Sequence, residues 1–241
     1  MPIKAVVWDI DDTIFDYAGA DTAGLRAHLV AEGTLGRYGD AERALAIWKE
    51  ITDRHWARFG AGGIDFVDQR RDRVRDFVGD RLGDAEADAW FERYFAHYQG
   101  AWRLFPDAVP ALDALADGFR HAVLSNSSLA PQRRKLRALG VLGRFETVLC
   151  AAELGVSKPA AEAFLAVCDA LALSPAEVAY VGDQPETDAR GARDAGLTGI
   201  WLDRGSSEVA APAGVRRIAT LAELPGVLDG NTRFGAPSTF G

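Results

Sequence analysis

Apolar and polar positions follow two regimes along the chain. Short apolar runs bounded by turn residues occur at 3–9, 121–124, 147–150, 178–181 and 199–202. Runs this short, without polar alternation, suit strands buried on both faces of a parallel sheet. Past Pro106 they alternate with helical stretches: about 107–115 with Asp107 as cap, 131–139 stopped by Gly140, 159–171, and 187–195 closed by Gly196. This alternation predicts an α/β fold with a doubly wound parallel sheet. Between the first two runs the period is helical. Segments are expected at about 18–31, from Asp40 through Leu45, Trp48, Trp56 and Phe59, at 66–78, and at 85–98. Four helices with short loops predict a small all-α bundle, with Trp90, Phe91, Tyr94, Phe95 and Tyr98 as its core.

The expected organisation is therefore a Rossmann-like core from 1–15 and 104–228, a helical insertion at 16–103, and a tail at 229–241. The tail is rich in Gly, Pro, Ser and Thr and is expected to be poorly ordered. Composition narrows the function. Of 241 residues, 48% are hydrophobic and 26% charged, enough for a sizeable core. A net charge of -8 argues against a general nucleic-acid or anionic-membrane binder. The two cysteines, Cys150 and Cys168, sit in apolar surroundings and read as buried free thiols of a reducing, cytoplasmic compartment. No Cys/His cluster has zinc-ligand spacing. Met1-Pro2-Ile3-Lys4 enters a strand directly, without the pattern of a signal peptide, and no apolar run approaches membrane-spanning length.

The first run ends in three acids, Asp9, Asp11 and Asp12. Parallel sheets place chemistry beyond the carboxyl ends of their strands, and like charges crowded there call for a divalent cation. Taken alone, the stretch is equally an acidic turn. Three later features also fall at strand ends or helix starts: Ser125-Asn126, Ser157-Lys158-Pro159, and Gly182-Asp183 through Asp188. Each alone is an ordinary cap, loop or turn. The four together, in this order on parallel strands, are hard to explain as coincidence.

The ordered set resembles the haloacid dehalogenase (HAD) superfamily, in its phosphatase type with a helical cap inserted after the first motif. Asp9-Ile10-Asp11-Asp12-Thr13-Ile14 matches the first motif, Asp-x-Asp-x-Thr; Val123-Leu124-Ser125-Asn126 the second; Lys158-Pro159 the third; and Asp183 to Asp188 the fourth, Asp-x-x-x-x-Asp. One departure is Ala160-Ala161 after Lys158-Pro159, where the family often has an acid and a second proline. The resemblance implies a magnesium-dependent phosphatase acting on a small phosphorylated metabolite, such as a sugar phosphate or nucleotide. In that reading Asp9 is the nucleophile and Asp11 the acid and base. Ser125, Asn126 and Lys158 meet the phosphate. Mg2+ is held by the Asp9 carboxylate, the Asp11 main-chain carbonyl and the Asp183 carboxylate, and Asp188 supports this shell.

In the insertion, Arg70 and Arg71 are candidates for an anionic substrate group, set against an exposed helix face paired with Asp72 and Asp76. A monomer or homodimer is expected, with no nucleic acid or membrane as partner. Rival chemistries remain. Haloacid dehalogenation needs neither the second Asp nor metal. Phosphonoacetaldehyde hydrolysis would use Lys49, the insertion's only lysine. Phosphomutase transfer shares the same motifs. A non-enzymatic binding protein on this fold would be expected to have lost a motif residue, and none is lost.

Overall fold

The computed structural model describes residues 2–79, 81–205 and 207–230. Its contacts divide the chain into two compact units, Met1–Phe15 with Leu104–Gly241, and Asp16–Arg103. The first unit carries a six-stranded parallel sheet. Its strands are β1 (Ala5–Trp8), β2 (Arg120–Ser125), β3 (Thr147–Cys150), β4 (Val178–Gly182), β5 (Thr198–Leu202) and β6 (Arg216–Ile218), in spatial order β3-β2-β1-β4-β5-β6. β1 and β4 are buried at every position, which is why the sequence shows no alternation there.

From β1 the chain moves outward through β2 to β3. It then returns to the other flank of β1 with β4 and continues outward again. The order therefore reverses between β1 and β4, the place where open α/β sheets form their crevice. Helices α5 (Ala108–Leu115), α6 (Leu129–Ala138), α7 (Ala151–Leu154), α8 (Ala161–Leu171), α9 (Gly191–Asp194) and α10 (Leu224–Gly230) belong to the same unit. Phe164, Val167 and Leu171 of α8 pack with Val7, Leu124, Val178 and Tyr180 in one apolar cluster. Burial of each large side chain there is worth roughly 1.5–3 kcal/mol.

Several elements differ from the sequence expectation. Asp107 stands at the N-cap of α5, but its side chain makes no capping bond there. Its carboxylate instead accepts both Nη atoms of Arg204 at 3.0 and 2.9 Å and the Leu221 N–H at 2.9 Å. An arginine nearly a hundred residues away outcompetes the local donors because a forked pair supplies two charge-assisted bonds. The helix expected at 187–195 is a wide π turn, Pro185–Arg190, followed by α9. The turn widens where the Asp188 side chain reaches back to accept the Gln184 N–H at 3.0 Å. β6 has only three residues, two of them Arg, and gives no apolar signal. α10 includes Asp229 and Gly230, which the sequence placed in the tail, and 231–241 lie outside the described residues.

The second unit holds α1 (Tyr17–Ala31), α2 (Ala41–Gly60), α3 (Phe66–Val78) and α4 (Asp84–Gly100). Three of the four start on an Asp whose side chain accepts a first-turn N–H: Asp16 from Gly19, Asp40 from Arg43, and Asp65 from Val67 and Asp68. α1 packs on α4 at Gly24, where an added Cβ would come within 2.5 Å of the Tyr98 Cα. Phe91, Tyr94 and Tyr98 are buried beside Trp48 and form the bundle's core. Buried Asp21 accepts the Trp48 indole N–H at 3.1 Å and the Tyr94 hydroxyl, so one carboxylate satisfies two aromatic donors.

His28 is fully buried against Trp90, at 4.4 Å between ring centroids, and neither ring nitrogen has a hydrogen-bond partner. Burial pushes its pKa down from 6.5 to about 4, with Arg93 and His97 adding to the effect and Glu32 opposing it. Above pH 6.5 both folded and unfolded states carry the neutral ring. As pH falls through that value the unfolded chain takes up a proton that the fold resists until about pH 4. Stability should therefore fall between those limits, by at most about 1.4 kcal/mol per pH unit from this group. Urea unfolding of the wild type and His28→Phe across that range checks this: the substitution should remove part of the slope, and parallel curves would refute it.

Candidate active site

β1 runs straight into Asp9, whose N–H bonds the Val181 carbonyl at 2.9 Å across the gap to β4. Asp12 then takes a left-handed conformation, φ 59°, and its N–H bonds the Phe15 carbonyl at 2.8 Å. Asp tolerates this backbone better than most residues, so the third acid of the motif serves to turn the chain. Arg204 reinforces the loop by donating to the Thr13 carbonyl at 2.9 Å while its guanidinium covers the Phe105 ring at 3.9 Å.

Lys158 is the hub of the site. Its Nζ donates to Asp9 Oδ1 at 2.7 Å, Asp188 Oδ1 at 2.7 Å and the Tyr180 hydroxyl oxygen at 2.6 Å. The three ammonium protons are thereby used, and the lysine is only 4% exposed. Tyr180 passes its own proton to the Leu124 carbonyl at 2.9 Å. Asn126 fixes the Lys158 backbone from both sides, accepting its N–H at 2.8 Å and donating to its carbonyl at 2.9 Å. The side chain of Asn126, a residue expected at the phosphate, is thus committed to the Lys158 loop. The peptide that follows, Lys158–Pro159, is cis.

Asp183 follows β4, and its carboxylate lies with those of Asp9 and Asp188, one oxygen from each within 4.8 Å of the others. Gly182 makes this approach possible, because an added Cβ would sit 2.3 Å from Asp188 Oδ2. Burial raises Asp9 to about 7, with Lys158 pulling down and Asp188 and Asp11 pushing up. Burial also raises Asp183 to about 8, helped by Asp9 and Asp188. For Lys158, burial opposes the charge, but Asp188 and Asp9 outweigh it and hold the ammonium well above its ordinary range. The donor set is oxygen only, buried and over-charged, which suits a hard divalent cation.

Asp11 makes separate contacts. Its Oδ1 accepts Lys135 Nζ at 2.5 Å and its Oδ2 accepts Gln132 Nε2 at 2.7 Å. The same Gln132 nitrogen donates to Ser125 Oγ at 3.1 Å. Asp9, Lys158, Asp183 and Asp188 thus form one cluster, and Asp11 and Ser125 are joined by Gln132. Sequence reasoning missed Tyr180, Gln132 and Lys135. Tyr180 was hidden in an apolar run. Gln132 and Lys135 carry only a helical i,i+3 spacing, which is common on any exposed face.

Arg70 and Arg71 belong to the helical unit. Arg71 is committed to Asp68, Asp84 and Asp88. The acids expected to pair with it go elsewhere, Asp72 to Arg58 and Arg75, and Asp76 to Arg54 and His55. The Arg70 guanidinium lies 4.0 Å over the Phe91 ring.

A family model described as a haloacid dehalogenase-like hydrolase matches residues 3–196. Phosphoserine phosphatase from Thermus thermophilus is 40% identical over 42% of this chain, a stretch that spans only 41% of that protein. Ribulose-1,5-bisphosphate 5-phosphatase from Halopiger xanaduensis is 30% identical over 90% of this chain and 91% of that protein. Among solved structures, 2-haloacid dehalogenase from Pseudomonas syringae pv. Tomato superposes with a TM-score of 0.68 at 27% identity, covering 95% of this chain and 99% of that one.

Lys158→Met would leave Asp9 and Asp188 buried without their shared ammonium. Removing one partner of a buried ion pair costs about 3–5 kcal/mol. Urea unfolding at pH 7 should show a loss of that order; a loss below about 1 kcal/mol would mean that the acids relax out of the cluster.

Proposed function

Because the chain belongs to the haloacid dehalogenase-like hydrolase family, we propose that it is a magnesium-dependent phosphatase of small phosphate monoesters, working through an aspartyl-phosphate on Asp9. The observation that carries this reading is the site's charge pattern. A nucleophilic carboxylate stands at the sheet's switch point in contact with a buried ammonium, and a second carboxylate two residues on is held separately. The phosphatase names of the two relatives support the same reaction class.

In this mechanism an Asp9 carboxylate oxygen attacks phosphorus and the bond to the substrate's leaving oxygen breaks. Asp11, protonated, gives that oxygen its proton, releasing the alcohol. A water then attacks the phosphoryl group, passing a proton to Asp11, and the bond to Asp9 breaks. Inorganic phosphate leaves and both aspartates are restored. Ser125 Oγ accepts from Gln132, which leaves its O–H to donate to a phosphoryl oxygen. Lys158 acts through its charge, since its protons already have acceptors. The Asp9 carboxylate, the Asp11 main-chain carbonyl and the Asp183 carboxylate would hold Mg2+. When bound, the ion offsets the site's negative charge and polarises the phosphoryl group. Asp188 keeps Lys158 in place.

The substrate is a small phosphorylated metabolite of sugar phosphate or nucleotide type. Arg70 and Arg71 are the candidates for a second anionic group, and an anion at Arg71 would compete with three aspartates. Cys150 and Cys168, both buried, have their thiols pushed up to about 12 and 11 by burial, in keeping with unreactive thiols in the cytoplasm.

Dehalogenation is the second reading, favoured by the likeness to the Pseudomonas syringae enzyme. A halide leaves without a proton, so that chemistry gives Asp11 no task. A panel of phosphate monoesters and 2-chloropropionate separates the two. Phosphate release should require Mg2+, stop with a chelator, and fall by at least about 10³-fold in Asp9→Asn, since covalent catalysis by Asp9 is then lost. Chloride release from the halo acid without phosphate release would overturn the reading.

A further inference from the structure

We infer that Lys135 and Gln132 are positioning residues that fix the Asp11 carboxylate in the orientation from which it serves the leaving group. The inference rests on the phosphatase reading above. It starts from an unusual commitment of buried polar groups. Lys135 is 6% exposed and Gln132 1% exposed, on the same face of α6, yet both reach one carboxylate. Each Asp11 oxygen has its own donor, Lys135 Nζ at 2.5 Å and Gln132 Nε2 at 2.7 Å. A carboxylate's terminal torsion is otherwise broad, and two donors from one rigid helix turn restrict it.

The surroundings make the clamp one-directional. The Lys135 ammonium lies 4.2 Å over the Phe15 ring, and Phe15 bridges the Asp11 backbone, so the lysine rests on the same loop that it holds. The Gln132 amide is oriented by the ionised form of Asp11. Its Nε2 faces a carboxylate that only accepts, and its buried Oε1 has no partner. That nitrogen also reaches Ser125 Oγ, so one amide sets the proposed acid and a proposed phosphate ligand relative to each other. Burying a lysine and a glutamine is unfavourable unless their polar ends are satisfied. Here the acceptor is an acid of the first motif that stands outside the Asp9, Asp183 and Asp188 cluster. The Asp11 side chain itself is 32% exposed, against 8% for that of Lys135, so the clamp grips from the buried side and leaves the acid open to solvent.

A leaving-group acid matters most where the leaving oxygen is strongly basic. Lys135→Met should therefore lower kcat/KM for the best alkyl phosphate of the panel by about 10- to 100-fold, below the 10²–10⁴ range of general acid–base catalysis as a whole. For p-nitrophenyl phosphate the loss should stay within a few-fold. In an Asp11→Asn background, Lys135→Met should cost nothing further, because the lysine acts through that carboxylate. Gln132→Leu should show the same leaving-group pattern to a smaller degree, and it carries the comparison if Lys135→Met does not fold. Equal losses on both substrates, or losses that add to Asp11→Asn, would reduce the pair to a structural role and overturn the inference while the phosphatase reading stands. If the folded wild type releases phosphate from no monoester, that reading falls and the positioning role falls with it.

Discussion

Four carboxylates, those of Asp9, Asp11, Asp183 and Asp188, gather around two buried ammonium groups, Lys135 and Lys158, in the sheet unit. Much of the local architecture answers this imbalance. Lys158 spends all three protons, Asn126 pins its backbone, and Tyr180 offers it an oxygen while passing its own proton to the Leu124 carbonyl. Removing any of these partners would leave a desolvated charge or dipole, which costs more than the bond itself contributes. The ammonium groups do not balance the acids. The residual negative charge is what raises Asp9 to about 7 and Asp183 to about 8, after burial itself. A site of this kind is stable as a protein and still lacks positive charge, which is the condition for drawing in a cation together with an anionic substrate.

The sheet delivers these groups to one place without long-range tuning. β1, β2 and β4 are neighbours, so residues just past their ends converge because the strands are parallel and in register. What remains is local. Asp12 turns the chain through a left-handed residue, and Arg204 ties the same loop to Asp107, which also accepts the Leu221 N–H. Asp107 looked like an ordinary helix cap but is part of that tie, so its chemistry belongs to the motif loop and not to α5.

The parts visible in the sequence share a physical reason. Strands buried on both faces write themselves as unbroken apolar runs, and motif residues sit at fixed distances from those runs. The strand order was legible only as a class, since pairing is non-local. β6 was invisible because two of its three residues are arginines. The π turn at Pro185–Arg190 read as helix because a single wide turn is too short to change the periodicity of a helical run. The Asn126 side-chain contacts were not legible for a different reason. An amide after a strand is equally suited to an anion or to a neighbouring backbone, and only tertiary geometry chose the Lys158 loop. Arg71 was ambiguous in the same way, because charge spacing cannot tell which of several acids an arginine will meet.

The two lysines show how one residue type takes different roles through its acceptors. Lys158 is shared among Asp9, Asp188 and a phenol, so its charge is spread over the nucleophile's surroundings and its geometry is locked from every side. Lys135 is directed at the Asp11 carboxylate, with the Phe15 ring beneath its ammonium. A cation held by three oxygens mainly sets a potential. A cation directed at one oxygen of one carboxylate, with a glutamine on the other oxygen, mainly sets a direction. The separation lets the site keep its nucleophile and its proton carrier only two residues apart without both aspartates competing for a single counter-ion.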